Sequence, residues 1–457
     1  MKTVEIIERI EGEAKLSCSW ENNLVSDVKI DFLNFRGFEY ILEGKSPLDA
    51  LIYTPRICGI CGQAHQKATV EALENMYENI NEPLHVSNKA KLLREIGLNI
   101  EIIDSHIKWF YMFILPDIIK LDTNDLGIYA PLKGTRWLES CKTASETIKA
   151  LAIIGGQWPH TSYMMPGGVV CDPTLLELTS MQNYMDSAIR FFEKSLSGVD
   201  FDKYLSFNSE KDLQELRADL GYFRDLSFKY SLEIYGKSHD RFITLGTSSL
   251  FETGKIRQRL INKLDLSKIK ESSEHIFLLE NENSNKKNNW CKTVSYDNDF
   301  FETGPLARAI ISNRKFIKDI HKTYNDSSFT RILARMDELA HLLQNTKELI
   351  KKVDISEESF IKPKFDLRDI EQANGISVIE AARGSLYHNI SIEKGKISKY
   401  DVITPTVWNL GPASKKEKGV AQKAIIGTPS IELAKIVLRS FDVCSVCTTK
   451  LFIFVTI

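Results

Sequence analysis

The chain carries two Cys-x-x-Cys pairs near its opposite ends, Cys58 with Cys61 and Cys444 with Cys447. Two thiolates spaced in this way can bind one soft metal ion, and two such pairs can form a four-thiolate site. A local zinc ribbon closes its pairs over a linker of roughly 15–20 residues, whereas residues 62–443 separate these two. A metal held by both pairs requires the folded domain to bring its ends together. The spacing therefore predicts a buried site inside a large protein.

The composition is that of an ordinary globular protein, with 457 residues of which 43% are hydrophobic and 26% charged. A formal net charge of −2 gives no reason to expect a nucleic acid or an anionic membrane surface as partner. The opening residues lack the apolar segment of a signal peptide, and the apolar stretch 451–457 is much shorter than the roughly 20 residues of a membrane span. We expect no direct membrane span. The compartment stays open, with the cytoplasm slightly favoured.

The pattern of apolar residues predicts strands near both ends of the chain and long helices between them. The predicted strands are Glu13–Ser19, Val25–Phe32 and stretches within 376–403. The predicted helices lie within 48–79, from a cap at Ser87 to about 113, over 135–154, from Asp172-Pro173 to Gly198, over 305–323 and 328–352, and from Thr428-Pro429 onward. Residues 205–300 are the least regular part and are interpreted as insert-like within a single domain, 1–457.

The first cysteine pair belongs to a dense cluster of metal-ligating residue types. Cys58 and Cys61 are followed by His65, and flanking glycines let the backbone approach a metal closely. Spacing alone leaves a structural zinc and a catalytic metal equally open. The other cysteines are isolated and are expected to be small buried apolar residues; they are Cys18, Cys141, Cys171 and Cys291.

An ordered set of motifs resembles the large subunit of nickel–iron hydrogenases. The family signature R-x-C-G-x-C-x-x-x-H matches Arg56–His65 at every fixed position. The signature D-P-C-x-x-C-x-x-H/R matches at Asp442, Cys444 and Cys447. Further landmarks follow in the family's order: Arg9–Gly12, Arg36–Glu39, Pro159-His160, Pro166–Gly168, Gly304–Arg308, Glu380–Gly384, and Pro405-Thr406 with Trp408-Asn409. The set covers residues 9–447, and one motif alone would carry little weight.

The resemblance implies an α+β fold that is predominantly α-helical, with long buried central helices and small peripheral β-sheets. It also implies a nickel and iron centre held by four cysteines. By motif position, Cys58 and Cys444 would bind nickel alone, whereas Cys61 and Cys447 would bridge nickel to iron. The family's iron carries cyanide and carbon monoxide. The implied reaction is the reversible heterolytic cleavage of H2 into protons and electrons.

The resemblance also assigns roles to single residues. Cys444 would be the base that takes the proton, and Glu11 the first carboxylate of the relay that removes it. Arg383 would lie over the metals, with Asp442 orienting it. Without the motif context, Glu11 would read as a surface carboxylate and Arg383 as half of a salt bridge.

Other residues are expected near the centre. His65 and His106 are candidates for the layer around the metal ligands, although each is equally open to a role as a hydrogen-bonded core histidine. The pocket walls are expected from Pro405, Thr406 and Trp408.

The chain departs from the family pattern at three places. Val443 stands where the family has proline, and an alanine in the Glu380–Arg383 motif stands where proline is common. Lys450 replaces the final histidine or arginine. In relatives that histidine helps to hold a structural magnesium with the glutamate that matches Glu39, and a protonated lysine cannot ligate a metal. We therefore expect nickel and iron without stoichiometric magnesium, and an ammonium group in the place of that cation.

The cysteine count implies a partner. Iron–sulfur clusters take about four cysteines each, and the cysteines outside the two pairs show no such spacing. The resemblance therefore implies a heterodimer with an iron–sulfur small subunit, across a large apolar interface. It also implies nickel-insertion factors and a maturation protease. Residues 451–457 match the position of the extension that such a protease removes, and a retained or altered tail is the open alternative. The electron acceptor and the reaction direction stay open.

Other functions remain as alternatives. The second candidate is a hydrogen sensor with the same metal site and low turnover, which a neighbouring kinase-like partner would favour. A metal-free structural relative in a respiratory complex would have no use for the four cysteines. A plain zinc protein is the remaining alternative.

Overall fold

This computed structural model describes residues 2–7, 12, 14–32, 36–257, 260–262, 264–272 and 291–444. The α-helices of the described residues are α1 Phe38–Leu42, α2 Ala50–Tyr53, α3 Gly62–Asn79, α4 Asn88–Lys108, α5 Leu115–Lys120, α6 Thr135–Gly155, α7 Leu175–Phe191, α8 Phe201–Leu205, α9 Asp219–Lys229, α10 Pro305–Ile311, α11 Lys315–Tyr324, α12 Ser328–Lys351, α13 Pro405–Leu410, α14 Val420–Ile425 and α15 Ile431–Ser440. The strands are β1 Lys2–Ile7, β2 Ala14–Glu21, β3 Leu24–Phe32, β4 Met164–Met165, β5 Gly168–Val169, β6 Phe242–Thr244, β7 Gly254–Arg257, β8 Leu260–Asn262, β9 Ile269–Ser272, β10 Thr293–Tyr296, β11 Gln372–Ala381, β12 Gly384–Glu393 and β13 Lys396–Ile403.

The strands form small antiparallel sheets around the helices. The three-stranded sheets have the orders β1-β2-β3, β6-β7-β8 and β11-β12-β13, and the pairs β4-β5 and β9-β10 are two-stranded. The predicted α+β, predominantly helical fold class is confirmed. Both N-terminal strand predictions are confirmed within two residues at each end, and the structure adds β1 before them.

The long central helix α4 follows the predicted pattern. The hydroxyl of Ser87 accepts a hydrogen bond from the N–H of Ala90, which confirms the predicted cap. The apolar side chains at helical spacing are buried, among them Leu93, Ile96 and Ile100, and α4 packs between α6 and α12. The predicted end near residue 113 falls inside a π-helical turn, Trp109–Ile114, which joins α4 to α5.

Several helix boundaries differ from the prediction. Helix α7 begins at Leu175, not at Asp172-Pro173, because Thr174 forms a capping box with Glu177. A π-helical turn, Phe192–Ser197, continues α7, and the predicted stop at Gly198 is confirmed because this residue caps the turn with a left-handed φ of 68°. The predicted helix 305–323 is two helices, α10 and α11, separated where Asn313 has φ 58°.

The C-terminal helix also begins later than predicted. Helix α15 starts at Ile431, where the hydroxyl of Ser430 accepts a hydrogen bond from the N–H of Leu433. The predicted start at Thr428-Pro429 was therefore two to three residues early, because a serine supplies the cap that proline cannot.

The predicted irregular region 205–300 contains helix α9 and short strands among its described residues. Its polar run, 281–289, which the sequence predicts to be a surface loop, lies outside the described residues. Among the helices of the described part, none is both long and apolar enough to cross a bilayer.

The two ends of the chain pack together, and this packing brings the two cysteine-bearing segments close to each other. Strands β2 and β3 share a hydrophobic core with α13, α14 and α15. Val25 of β3 is hydrogen-bonded through its backbone to Thr428 and Gly427, just before α15. At the other side, the sheet β11-β12-β13 packs on α3. The loop that follows α15 is thereby held against the start of α3, and these two segments carry the cysteine pairs.

Candidate metal centre

The first cysteine pair lies in a tight loop just before α3. Cys61 is the residue before the helix, and Gly62 is its first residue. A side chain at Gly62 would meet the carbonyl oxygen of Pro55 at 2.6 Å from its Cβ, so only glycine fits there. The guanidinium of Arg36 donates to the carbonyl of Ile57 over 2.8 Å, which ties down the other side of the loop.

The second pair follows the end of α15. Cys444 is fully buried, and its Sγ lies 3.7 Å from Sγ of Cys58 although the two residues are 386 positions apart. Cys61 packs in the same buried cluster. The structure thus brings together three of the four predicted metal ligands. Cys447 lies outside the described residues.

The described side chains do not by themselves close a metal cage. Among the described residues, no three histidine, cysteine or acidic side chains converge closely enough to hold an ion. The cluster shows one direct thiol–thiol contact, between Cys58 and Cys444, with Cys61 beside it. Nickel and low-spin iron favour thiolate ligands, whereas hard cations such as magnesium favour oxygen ligands. Three clustered thiols therefore fit the first class of metal.

Arg383 is at the tip of the β11–β12 hairpin, where Ala381 pairs with Gly384. Its Nε donates to the backbone carbonyl of Asp442 over 3.1 Å and lies 3.2 Å from the carboxylate. Its Nη1 is buried and has no hydrogen-bond partner within the part of the chain that the structure describes. A buried donor of this kind is costly unless a ligand satisfies it.

The charge of Arg383 is maintained by its neighbours. Burial alone would lower its pKa, but Asp442 and the thiols of Cys444, Cys61 and Cys58 together raise the pKa well above its usual range. Arg383 therefore presents a permanent positive charge to the cysteine cluster.

Asp442 bridges two arginines. Its second carboxylate oxygen accepts a hydrogen bond from Nη1 of Arg335 over 3.0 Å. The guanidinium of Arg335 is stacked 4.5 Å from the ring centre of Trp109, in the π-helical turn after α4. Asp442 has a φ of 58°, a conformation that aspartate tolerates better than most residues. The structure thus places Asp442 where it orients Arg383, and it adds Arg335, which sequence reasoning missed.

His106 is part of a buried ion-pair network. Its Nε2 lies 2.9 Å from the carboxylate of Glu338, and Arg335 donates to its Nδ1 over 3.3 Å. Glu338 also makes a bidentate ion pair with Arg308. Because Nδ1 accepts from an arginine, the ring proton is on Nε2. The structure thus places His106 as a buried, hydrogen-bonded core histidine. Arg335 connects it to Asp442.

His65 lies at the cluster itself. Its ring lines a small cavity together with Cys61 and Arg383, and its Nδ1 lies 3.1 Å from Nε2 of His388. Pro405 and Thr406 line the same cavity, as expected from the sequence. The third expected wall residue, Trp408, is instead buried in the core that joins the N-terminal sheet to the C-terminal helices.

Glu39 is buried. Its carboxylate accepts a hydrogen bond from the N–H of Val402 over 2.7 Å. The ammonium group of Lys292 is 3.8 Å from it and also contacts Glu271. The predicted partner of Glu39, Lys450, lies outside the described residues, and so does Glu11. A lysine ammonium is thus beside Glu39, but it comes from a different part of the chain.

Glu101 is a further acidic group that the sequence reading missed. It is buried in α4, and its two carboxylate oxygens accept from the backbone N–H groups of Gln63 (2.8 Å) and Ala64 (3.0 Å), at the start of α3. The signal was a carboxylate within the apolar stretch Ile100–Ile103 of a buried helix. Burial raises the pKa of Glu101 to about 8, although the two N–H donors act in the opposite direction.

We expect Glu101→Gln to flatten the pH dependence of stability. The folded protein keeps this proton up to about pH 8, whereas the unfolded chain loses it near 4.5. Between these values the folded state binds more protons, so the stabilising contribution is full below pH 4.5 and is lost as pH rises through about 8. The thermal unfolding midpoint of the purified protein, followed across this range, should fall less in the variant. An exposed control, Glu78→Gln, should keep the wild-type slope. Equal slopes in wild type and Glu101→Gln would contradict the assignment.

Known proteins resemble this chain over nearly its whole length. The chain matches the family described as nickel-dependent hydrogenase over residues 36–123 and 132–450. It is 24% identical to the periplasmic [NiFeSe] hydrogenase large subunit of Desulfomicrobium baculatum, covering 96% of this chain and 93% of the relative. It is also 24% identical to the sulfhydrogenase 1 subunit alpha of Pyrococcus furiosus, covering 98% and 97%.

A solved structure shares the fold. The Ni-Fe-Se hydrogenase of Desulfovibrio vulgaris Hildenborough in its reduced state superposes with a TM-score of 0.83, at 23% identity, over 98% of this chain and all of that chain. The family match covers most of the sequence and both cysteine motifs. The chain therefore belongs to the nickel-dependent hydrogenase family.

Proposed function

We propose that Cys58, Cys61, Cys444 and Cys447 hold one nickel–iron centre at which the chain interconverts H2 with protons and electrons. As a nickel-dependent hydrogenase of the large-subunit type, the chain is an oxidoreductase that acts on hydrogen. The observation that carries the site assignment is the 3.7 Å contact between Cys58 and Cys444, which joins the two ends of the chain. When bound, the metal pair supplies the electrophile that polarises H2 and takes up its electrons.

The chain's own residues supply the proton chemistry in this proposal. The thiolate Sγ of Cys444 accepts the proton when H2 is cleaved, and Glu11 receives it for transfer to the surface. Cys444 is fully buried, so water cannot take the proton directly and a relay is needed.

Arg383 stabilises charge without exchanging protons. Its guanidinium stays protonated, so it cannot divert the proton that Cys444 accepts. Asp442 fixes the Nε edge of that guanidinium, and Nη1 is buried without a hydrogen-bond partner among the described residues. This arrangement is preorganised, so no reorientation is needed as charge develops during cleavage.

We further propose that the iron carries cyanide and carbon monoxide, as in the family, and that magnesium is absent. Support for the second point is the ammonium group of Lys292, which already lies in the buried surroundings of Glu39. Because a lysine cannot ligate a cation, elemental analysis of the purified complex should find nickel and iron with substoichiometric magnesium.

The electrons require a partner subunit. Among the described residues, Cys18, Cys141, Cys171 and Cys291 form no group of three that could hold a metal. We propose that an iron–sulfur small subunit carries the electrons, that nickel-insertion factors load the centre, and that a maturation protease acts on residues 451–457.

The function is tested with the purified complex of this chain and the product of the adjacent gene. We expect H2-dependent reduction of an artificial dye, with activity proportional to nickel content. A sensor with the same centre would contain nickel but turn over at a very low rate. A preparation that contains zinc in place of nickel would overturn the proposal.

A further inference from the structure

Helix α4 carries a line of three ionisable side chains that runs from the cysteine-bearing loop towards the protein surface. Glu101, Asp104 and Lys108 follow one another at intervals of three and four residues, so they lie on one face of the helix. Glu101 and Asp104 are buried, whereas the side chain of Lys108 is 29% exposed. The line therefore begins in the interior and ends at solvent.

Glu101 is the inner end of this line. Its two carboxylate oxygens accept hydrogen bonds from the N–H groups of Gln63 and Ala64, the second and third residues after Cys61. Burial raises the pKa of Glu101, and Cys58 adds to that rise. The carboxyl group is thus held against the loop of the first cysteine pair, within electrostatic reach of one of its thiols.

Asp104 connects this buried carboxyl group to the surface. Its Oδ2 accepts a hydrogen bond from Nζ of Lys108 over 2.9 Å. Its Oδ1 is buried and has no hydrogen-bond partner within the part of the chain that the structure describes. A buried acceptor of this kind is costly unless a donor reaches it. The carboxyl group of Glu101, one helical turn away, is such a donor when it is protonated.

Both carboxyl groups can gain and lose protons near neutral pH. Burial raises the pKa of Glu101 to about 8 and that of Asp104 to about 6, while Lys108 acts in the opposite direction on Asp104. In a transfer step the O–H bond of Glu101 breaks, and Oδ1 of Asp104 takes the proton and then releases it to water beside Lys108. Glu101 regains a proton from the cysteine side, so both groups return to their initial state and no electrons move.

We propose that Glu101 and Asp104 form a second proton exit from the cysteine cluster, which opens to solvent beside Lys108. This inference rests on the proposed H2 chemistry at the cluster, and it adds a route to the one that begins at Glu11. The two routes can share one proton source, because Sγ of Cys58 lies 3.7 Å from Sγ of Cys444, the proposed proton acceptor.

The test measures the exchange of D2 with the protons of water, which requires the proton from the cleaved molecule to reach solvent. It uses mass spectrometry on the purified complex, with nickel content and dye reduction under H2 measured in parallel. Asp104→Asn is made in the wild type and in Glu11→Gln, because Asp104 does not hold the backbone of the cysteine loop as Glu101 does. Asp104→Glu is the matched control, since it keeps a carboxyl group that can be protonated.

In the Glu11→Gln background, we expect Asp104→Asn to keep its nickel and to lower the exchange rate by a further factor of about 10². The reason is that an amide cannot accept and release a proton as a carboxyl group does. Asp104→Glu in the same background should keep the exchange rate of Glu11→Gln. With Glu11 intact, Asp104→Asn should stay close to wild type. If Asp104→Asn alone caused the full loss, this exit would be confirmed and the role of Glu11 would be wrong.

Equal exchange rates in Glu11→Gln with and without Asp104→Asn would overturn the inference. Equal losses in Asp104→Asn and Asp104→Glu would also overturn it, since they would indicate packing alone. Failure of the metal centre itself is distinguishable, because the wild-type complex would then lack nickel and would exchange no D2.

Discussion

Cys444→Ser is expected to lose nickel and to reduce H2 oxidation by at least about 100-fold. Even residues that only orient metal ligands are worth 10-fold to 100-fold in affinity or activity, and here a ligand itself is replaced. A serine hydroxyl is a hard donor that stays protonated at neutral pH, so it can neither replace the soft thiolate nor accept the proton from H2. The measurements are nickel per protein by elemental analysis and dye reduction under H2.

The control is the same substitution at a buried cysteine outside the cluster. Cys18 is fully buried on β2, and burial raises the pKa of its thiol to about 11, so it is a neutral apolar side chain. Cys18→Ser should keep nickel and activity, with any loss limited to stability. If Cys444→Ser kept its nickel, or if both variants lost it equally, Cys444 would not be a ligand.

Arg383→Lys is expected to keep its nickel and to lose about 10²-fold to 10³-fold in kcat. This corresponds to about 3–4 kcal/mol of transition-state stabilisation. The guanidinium donates to Asp442 through Nε, while its Nη1 is a second buried donor, without a partner among the described residues, on a side chain that lines the cavity beside Cys61. A lysine ammonium is a single point donor and cannot do both. The variant therefore tests geometry, because the positive charge is retained.

Arg94→Lys is the matched control for this variant. Arg94 is also buried, with a bidentate ion pair to Glu74 at 2.9 and 2.8 Å. It lies on α4, whereas the described cysteines of the cluster lie before α3 and after α15. It should lose stability and keep its activity per nickel. A normal kcat in Arg383→Lys would show that the arginine over the cluster serves only the fold.

The order of motifs predicts the thiol cluster, but local sequence cannot predict the contact itself. Cys58 and Cys444 touch because the N-terminal sheet and the C-terminal helices share one core. No propensity or spacing encodes that packing. Motif order also predicted that Arg383 and Asp442 belong to the site. The structure places them 3.2 Å apart.

The residues that sequence reasoning missed are those assembled across long separations. His388 is an isolated histidine in an alternating strand, and its contact with His65 spans 323 positions. Arg335 lies inside α12 and meets Asp442 only in the folded molecule. Glu101 could have been predicted from the sequence, because a carboxylate within an apolar helical stripe must be paired if it is buried.

Helix boundaries show the same limit at short range. The apolar pattern of 305–323 is continuous, yet α10 ends at Ile311 and Asn313 takes a left-handed φ of 58°, a conformation that asparagine adopts at helix ends. Apolar periodicity alone does not show such a break.

Nickel K-edge X-ray absorption of the purified complex tests most directly whether both ends of this chain share one metal centre. The account predicts a first shell of sulfur around nickel with an iron scatterer close beyond it, and loss of sulfur from that shell in Cys444→Ser. A nickel shell of nitrogen and oxygen alone, or a sulfur shell that Cys444→Ser leaves intact, would contradict it.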